Sequence, residues 1–131
     1  LVAGDVAEYY DELIGMHLMN GNWNSAFLQG VTVAKNMVAS HRGEALPALF
    51  SAIPVYNIVH FGLMIMVIGD MRHCDDVWER AGSVYEPFLV RIGFREGKVV
   101  GAALMNRPKL QSAIIKLIQE KATKHDVETT F

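Results

Sequence analysis

The hydrophobic pattern changes period along the chain, and each change marks an element. Trp23, Ala26, Phe27, Gly30, Val31, Ala34 and Met37 recur at offsets of three and four, which predicts a helix with one apolar stripe. Asn22 suits its N-cap, because a short polar side chain there accepts from the first free backbone N–H groups. Gly30 and the alanines keep the stripe low, so that a neighbouring helix or a flat ligand can approach the backbone. The polar run Ser40-His41-Arg42-Gly43-Glu44 ends this helix.

Beyond that run the period falls to two. Ile53 to Val59 is rich in β-branched residues, with Pro54 at its entry, and predicts a strand. After a Phe61-Gly62 turn, Leu63 to Ile68 is apolar on both faces, so this strand needs cover on both sides. A polar connection from Met71 to Glu79 is expected next, leading to a short helix near Gly82. Tyr85 to Phe94 alternates, with Phe88, Val90, Ile92 and Phe94 on one face and Leu89 and Arg91 on the other. The turn Arg95-Glu96-Gly97-Lys98 joins it to Val99–Met105 as an antiparallel hairpin. A last helix follows, capped by Asn106 with Pro108 in its first turn, and Leu110, Ala113, Ile114, Leu117 and Ile118 form its apolar face. Residues 125–131 read as a frayed tail. At the other end, Leu1-Val2-Ala3 followed by Gly4-Asp5 reads as the end of a buried strand, and Val6 to Asn22, with no sustained period, as a loop. The fold class expected is α+β: an antiparallel sheet of three to five strands with a C-terminal helix, preceded by a separate helical segment.

Composition limits the function classes. A chain of 131 residues can bury about two-thirds of its unfolded surface in one core without staples. Twelve basic residues against fourteen acidic ones, with no basic block, make nucleic acid an unexpected partner. Cys74 is the only cysteine, so no disulfide and no two-cysteine redox chemistry is available, and a reducing, cytoplasmic compartment is expected. The longest apolar region, Ile58 to Ile68, is too short for a bilayer span, so no membrane role is expected. A mean hydropathy of +0.20 is high for a soluble domain and points to apolar surface that faces a partner.

Several side chains invite chemical readings. Gly4-Asp5 stands where open α/β sheets bind ligands, and a carboxylate there can accept from a polyol hydroxyl. His73, Cys74, Asp75 and Asp76 are all possible metal ligands, but adjacent residues seldom converge on one ion, and no metal site is expected. The two carboxylates beside Cys74 give it an acidic rather than an electropositive setting, which argues against it as a nucleophile. His60 reads as a core or interface histidine, His17 and His41 as solvent-facing loop residues. Met64 and Met66 suit an adaptable packing surface.

The order of these pieces resembles the C-terminal third of an FAD-dependent pyridine nucleotide-disulfide oxidoreductase, of the branch containing rubredoxin-reductase-like, ferredoxin-reductase-like and nitrite-reductase-like NADH enzymes. Three stretches carry the resemblance: Val2-Ala3-Gly4-Asp5-Val6, the helix Trp23 to Met37, and Gly97-Lys98-Val99-Val100-Gly101-Ala102 with the Pro108 helix. It implies that Gly4 and Asp5 contact FAD and that Asn24 and Ser25 lie near the flavin ring, at a helix N-terminus whose dipole favours negative charge. Asn24 stands where related sequences often carry an acid. It also implies that residues 1–42 are the remnant of an FAD-binding domain and residues 46–131 a C-terminal interface domain of the dimerisation type. In the parent enzyme NAD(P)H would be the electron donor and a small redox protein the acceptor.

The chain departs from that family in having no Gly-x-Gly-x-x-Gly fingerprint, no redox cysteine pair and no His-Pro pair. The chain is therefore expected to be a fragment that is inactive alone, does not retain FAD, and has the missing FAD and NAD domains of its own polypeptide as partners. The other expectation is a free-standing α+β interaction module without redox activity, in which the Leu63–Ile68 strand makes a homodimer.

Overall fold

Polar residues decide which way the long helix faces. In the computed structural model, which describes residues 1–47 and 49–131, the chain forms two units, Leu1–Pro54 and Val55–Phe131. The first holds a hairpin of β1 (Glu8–Asp11) and β2 (Met16–Met19) and the helix α1 (Trp23–His41). Asn22 caps α1 as expected, its side chain accepting from the Ser25 N–H at 2.8 Å. The helix buries Ser25, Gln29, Asn36 and Ala39. Its apolar stripe lies outside that face, with Trp23 81% and Met37 58% exposed, and Trp23 stacks on the neighbouring Phe27.

Two expectations fail in this unit. Leu1 to Asp5 is not a strand: it runs into a turn in which Ala7 N–H donates to the Gly4 carbonyl. An apolar run becomes a strand only when a neighbour pairs its backbone groups, and among the described residues none pairs with this one; Leu1 and Val2 stand exposed. The expected loop from Val6 to Asn22 contains the β1–β2 hairpin instead. Asp11 organises its turn, its carboxylate accepting from the N–H groups of Leu13 and Ile14. His17 therefore lies on a strand, 3.7 Å from Glu8, rather than in a loop.

The second unit is a five-stranded antiparallel sheet, β3 (Val55–His60), β4 (Leu63–Gly69), β5 (Asp76–Ala81), β6 (Leu89–Arg95) and β7 (Lys98–Met105), in the order β3-β4-β7-β6-β5. A 3₁₀ turn (Pro108–Leu110) and the helices α2 (Gln111–Gln119) and α3 (Lys124–Thr130) close the chain. The architecture is α+β. The register brings Ile68, Ala102 and Ile92 side by side across β4, β7 and β6, and Met66, Leu104 and Val90 one step along. These residues are buried together with Ile114, Leu117 and Ile118 of α2 and Val127 of α3. Each large aliphatic side chain so buried contributes about 1.5–3 kcal/mol. The other face of β4 stays open: Ile58 and Ile65, directly opposite each other, are 63% and 43% exposed.

Four readings change here. Asp76 to Ala81 is the edge strand β5, not a connection and short helix. It pairs along β6, and Glu79 faces Arg91 across that pair at 3.5 Å. Strand β6 begins at Leu89, leaving Val84 and Tyr85 in an exposed loop. Of the two readings of His60, core or interface, the core one fails: the residue is exposed at the end of β3, with its ring 4.0 Å from that of Phe61. The supposed frayed tail is α3: Thr123 and Asp126 form a reciprocal capping box, and Lys124 reaches Asp76 at 2.8 Å.

Both two-residue hairpin turns, Phe61-Gly62 (φ 49° and 74°) and Glu96-Gly97 (φ 51° and 73°), place two consecutive residues in the left-handed region. That is the turn geometry whose twist matches antiparallel strands, and it favours Asn before Gly. Phe61, 91% exposed, gains little from packing in return. Phe61→Asn is expected to stabilise the chain by about 0.5–1 kcal/mol, seen as a higher urea midpoint at unchanged slope. A lower midpoint would show that the aromatic ring contributes more than the turn costs.

Candidate functional site

The residues singled out by the flavin-like motifs all lie in the first unit, at the N-terminal end of α1. Gly4 N–H donates to the Gln29 side-chain oxygen at 2.7 Å, and the Gln29 amide donates to Ser25 Oγ at 3.3 Å. Gln29, itself buried, thus links Gly4 to Ser25. Asp5 is brought beside the start of the helix: a Cβ placed on Gly21 would stand 3.4 Å from its carboxyl carbon. Asn24 is exposed in the first turn, whereas Ser25 is buried, with its N–H taken by Asn22 and its hydroxyl by Gln29. The first turn of α1 carries no acidic residue of its own, and Asp5 is the carboxylate set beside the positive end of its dipole.

Gly4 has φ +92° and open space where a side chain would project. Backbone of this kind can come close to a ligand. Together the three features supply a carboxylate that accepts from hydroxyls, a bare backbone and a helix N-terminus that favours negative charge. A cavity of about 700 Å³ lies in the same unit, with Gln29 and Asn36 on its helical wall and Tyr9, Tyr10 and Phe50 among its other residues. Tyr9 and Phe50 meet edge to face at 4.8 Å. No motif in the sequence points to Gln29 as the link between Gly4 and Ser25. Its signal is a polar residue four positions after Ser25, on the helix face opposite the apolar stripe.

In the second unit the run from His73 to Asp76 disperses. His73 Nδ1 lies 3.1 Å from Asp70, Cys74 Sγ donates to the Met71 carbonyl, Asp75 accepts from Glu96 N–H and Asp76 pairs with Lys124. The organising group is Asp70. Burial alone would raise its pKa, but hydrogen bonds from the side chains and N–H groups of Arg72 and His73 outweigh that and hold it below the ordinary carboxylate value.

No protein-family model matches the chain, and no curated protein does. Among solved structures it is similar to the ferredoxin reductase for the CYP199A2 system from Rhodopseudomonas palustris, at 22% identity over 92% of this chain, with a TM-score of 0.73. A chain of the covalent putidaredoxin reductase–putidaredoxin complex matches at 17% identity over 91%, with a TM-score of 0.69. The NAD-dependent persulfide reductase from A. fulgidus matches at 18% identity over 92%, with a TM-score of 0.63. The chain shares its fold with a segment of each of these three chains. It spans 28%, 27% and 25% of the length of those three chains. No described helix is long and apolar enough to cross a membrane.

Proposed function

We propose that this chain is the C-terminal part of a flavoprotein NAD(P)H oxidoreductase and forms one wall of its FAD site. The observation that carries the reading is the meeting of Gly4, Asp5 and the α1 N-terminus in a chain with the reductase-type fold. Asp5 would accept from hydroxyls of the ribityl chain, the open backbone at Gly4 would lie against the pyrophosphate, and the α1 N-terminus would face the flavin ring, with Asn24 beside it. Ser25 and Gln29 would act as positioning residues that fix Gly4 to the helix. FAD, when bound, supplies the electron-transfer chemistry from NAD(P)H. The other partners are the FAD and NAD domains of the same polypeptide and, as the putidaredoxin complex suggests by analogy, a small redox protein as acceptor. The second unit would be an interface domain, and the whole enzyme a cytoplasmic protein.

The test uses the polypeptide in which these residues are joined to the expected flavin and nicotinamide domains. Asp5→Ala there is expected to weaken FAD retention about tenfold or more, the effect of losing a charge-assisted hydrogen bond, measured by flavin absorbance after dialysis. The 131-residue chain alone is expected to be colourless. Flavin retained equally by the Asp5 variant, or held stoichiometrically by the isolated chain, would sink the reading.

The open apolar face around Ile58 and Ile65 favours a second reading, a free-standing module that dimerises through its sheet. A tight dimer whose mass in sedimentation does not change with concentration would support it, and Ile58→Asp would then give monomers.

A further inference from the structure

We propose that the cavity of about 350 Å³ in the second unit, independent of the flavin reading, is a binding site for a small planar aromatic anion. It is bordered by Trp78 and Arg80 of β5, by Glu86 and Phe88 before β6, by Arg107 and by Phe131 after α3. Three aromatic side chains and two guanidiniums therefore meet in one concavity. Its volume lies at the small end of the range for ligand sites and fits one or two fused rings.

Charge selects the ligand's sign. Arg80 donates to the Phe131 main-chain oxygen, and Glu86 is the only carboxylate side chain among the bordering residues. Glu86 pairs with Arg107 at 2.6 Å, but its side chain is 72% exposed, so water can take over that carboxylate when an anion arrives. Arg107 also lies over the Phe88 ring, 3.9 Å from its centre. A stacked guanidinium is held flat, with its N–H edges directed outward for forked hydrogen bonds to a carboxylate. Trp78 and Phe131, whose ring centres are 6.0 Å apart, supply aromatic surface for the ring of the ligand. Two guanidiniums against one carboxylate leave the concavity net positive, which favours an anion over a cation.

The probe is indole-3-acetate, followed by the NMR shift of the Trp78 indole N–H, which Trp23→Phe distinguishes from the other indole. A saturable shift is expected. Tryptophol, its neutral analogue, should bind about tenfold more weakly, as should the variants Arg80→Gln and Arg107→Gln. Arg107→Lys keeps the charge and loses the fork, and is also expected to weaken binding several-fold; it decides the matter should either glutamine variant fail to fold. No saturable shift up to millimolar probe, equal binding of tryptophol, or unchanged affinity in Arg107→Lys would overturn the proposal.

Discussion

Gly101→Ala is expected to destabilise the sheet by about 3–5 kcal/mol, close to the whole stability of many small domains. The cause is a row of glycines. Gly69, Gly101 and Gly93 are consecutive partners across β4, β7 and β6, and the segment after β4 folds back over them. A Cβ on Gly101 would stand 2.5 Å from the Asp70 carbonyl oxygen and 2.8 Å from its carbonyl carbon and nitrogen. Those are main-chain atoms, with no rotamer by which to withdraw, and Asp70 N–H is itself held by the Val100 carbonyl at 3.0 Å. At Gly93 the same Cβ would meet Met71 Sδ at 2.9 Å and the side chain of Cys74. A methionine can turn aside, so Gly93→Ala should cost less, about 1–3 kcal/mol. Urea denaturation followed by circular dichroism measures both. Equal losses, or a Gly101 variant within about 1 kcal/mol of the parent, would show that the overlying segment gives way freely.

Where a cap, a turn or a run of neighbouring residues decides an element, the chain could be read directly. The helix α1 with its Asn22 cap, the β6–β7 hairpin around Glu96-Gly97, and the apolar face of α2 each announce themselves in a few adjacent residues. Elements that depend on distant partners did not. Strand β5 is held by β6 and by the Glu79–Arg91 and Asp76–Lys124 pairs, none of which shows in the hexapeptide Asp-Val-Trp-Glu-Arg-Ala. The opposite error occurred at Leu1 to Asp5, where an apolar run suggested a strand although no described residue pairs with it as one.

The helix α1 inverts the usual inference: its apolar stripe is the exposed one, and Ser25, Gln29 and Asn36 face inward. Periodicity finds such a stripe but cannot say what covers it. For the candidate site, the motif drew attention to Gly4 and Ser25, while the amide of Gln29 that connects them is a contact across 25 positions of sequence, visible only once the chain has folded.

Asp70→Ala is expected to cost about 2–4 kcal/mol at neutral pH, and the loss should shrink in acid. One oxygen of this buried carboxylate accepts from the N–H groups of Arg72 at 2.7 Å and His73 at 3.0 Å. The other receives the Arg72 guanidinium at 2.9 Å and faces His73 Nδ1 at 3.1 Å. The turn that crosses the glycine row is thus gathered around a single side chain. Removing it strands two main-chain donors, whereas the Arg72 head, largely exposed, returns to water at little cost. Asp70→Asn keeps one acceptor and should lose roughly half as much.

The sign of the pH dependence follows from the lowered pKa. The unfolded chain takes up the proton near the ordinary value of 3.8 and the folded chain only below it, so the contribution of Asp70 is complete above that value and fades as pH falls through and beneath it. Asp76, held down by Lys124 and the Val77 N–H, and Asp126, held down by Thr123, act in the same direction. Parent and Asp70→Ala curves of stability against pH should therefore run apart at neutrality and converge below pH 4. A gap of constant size across that range would mean that Asp70 contributes only as an uncharged acceptor, with its charge contributing nothing.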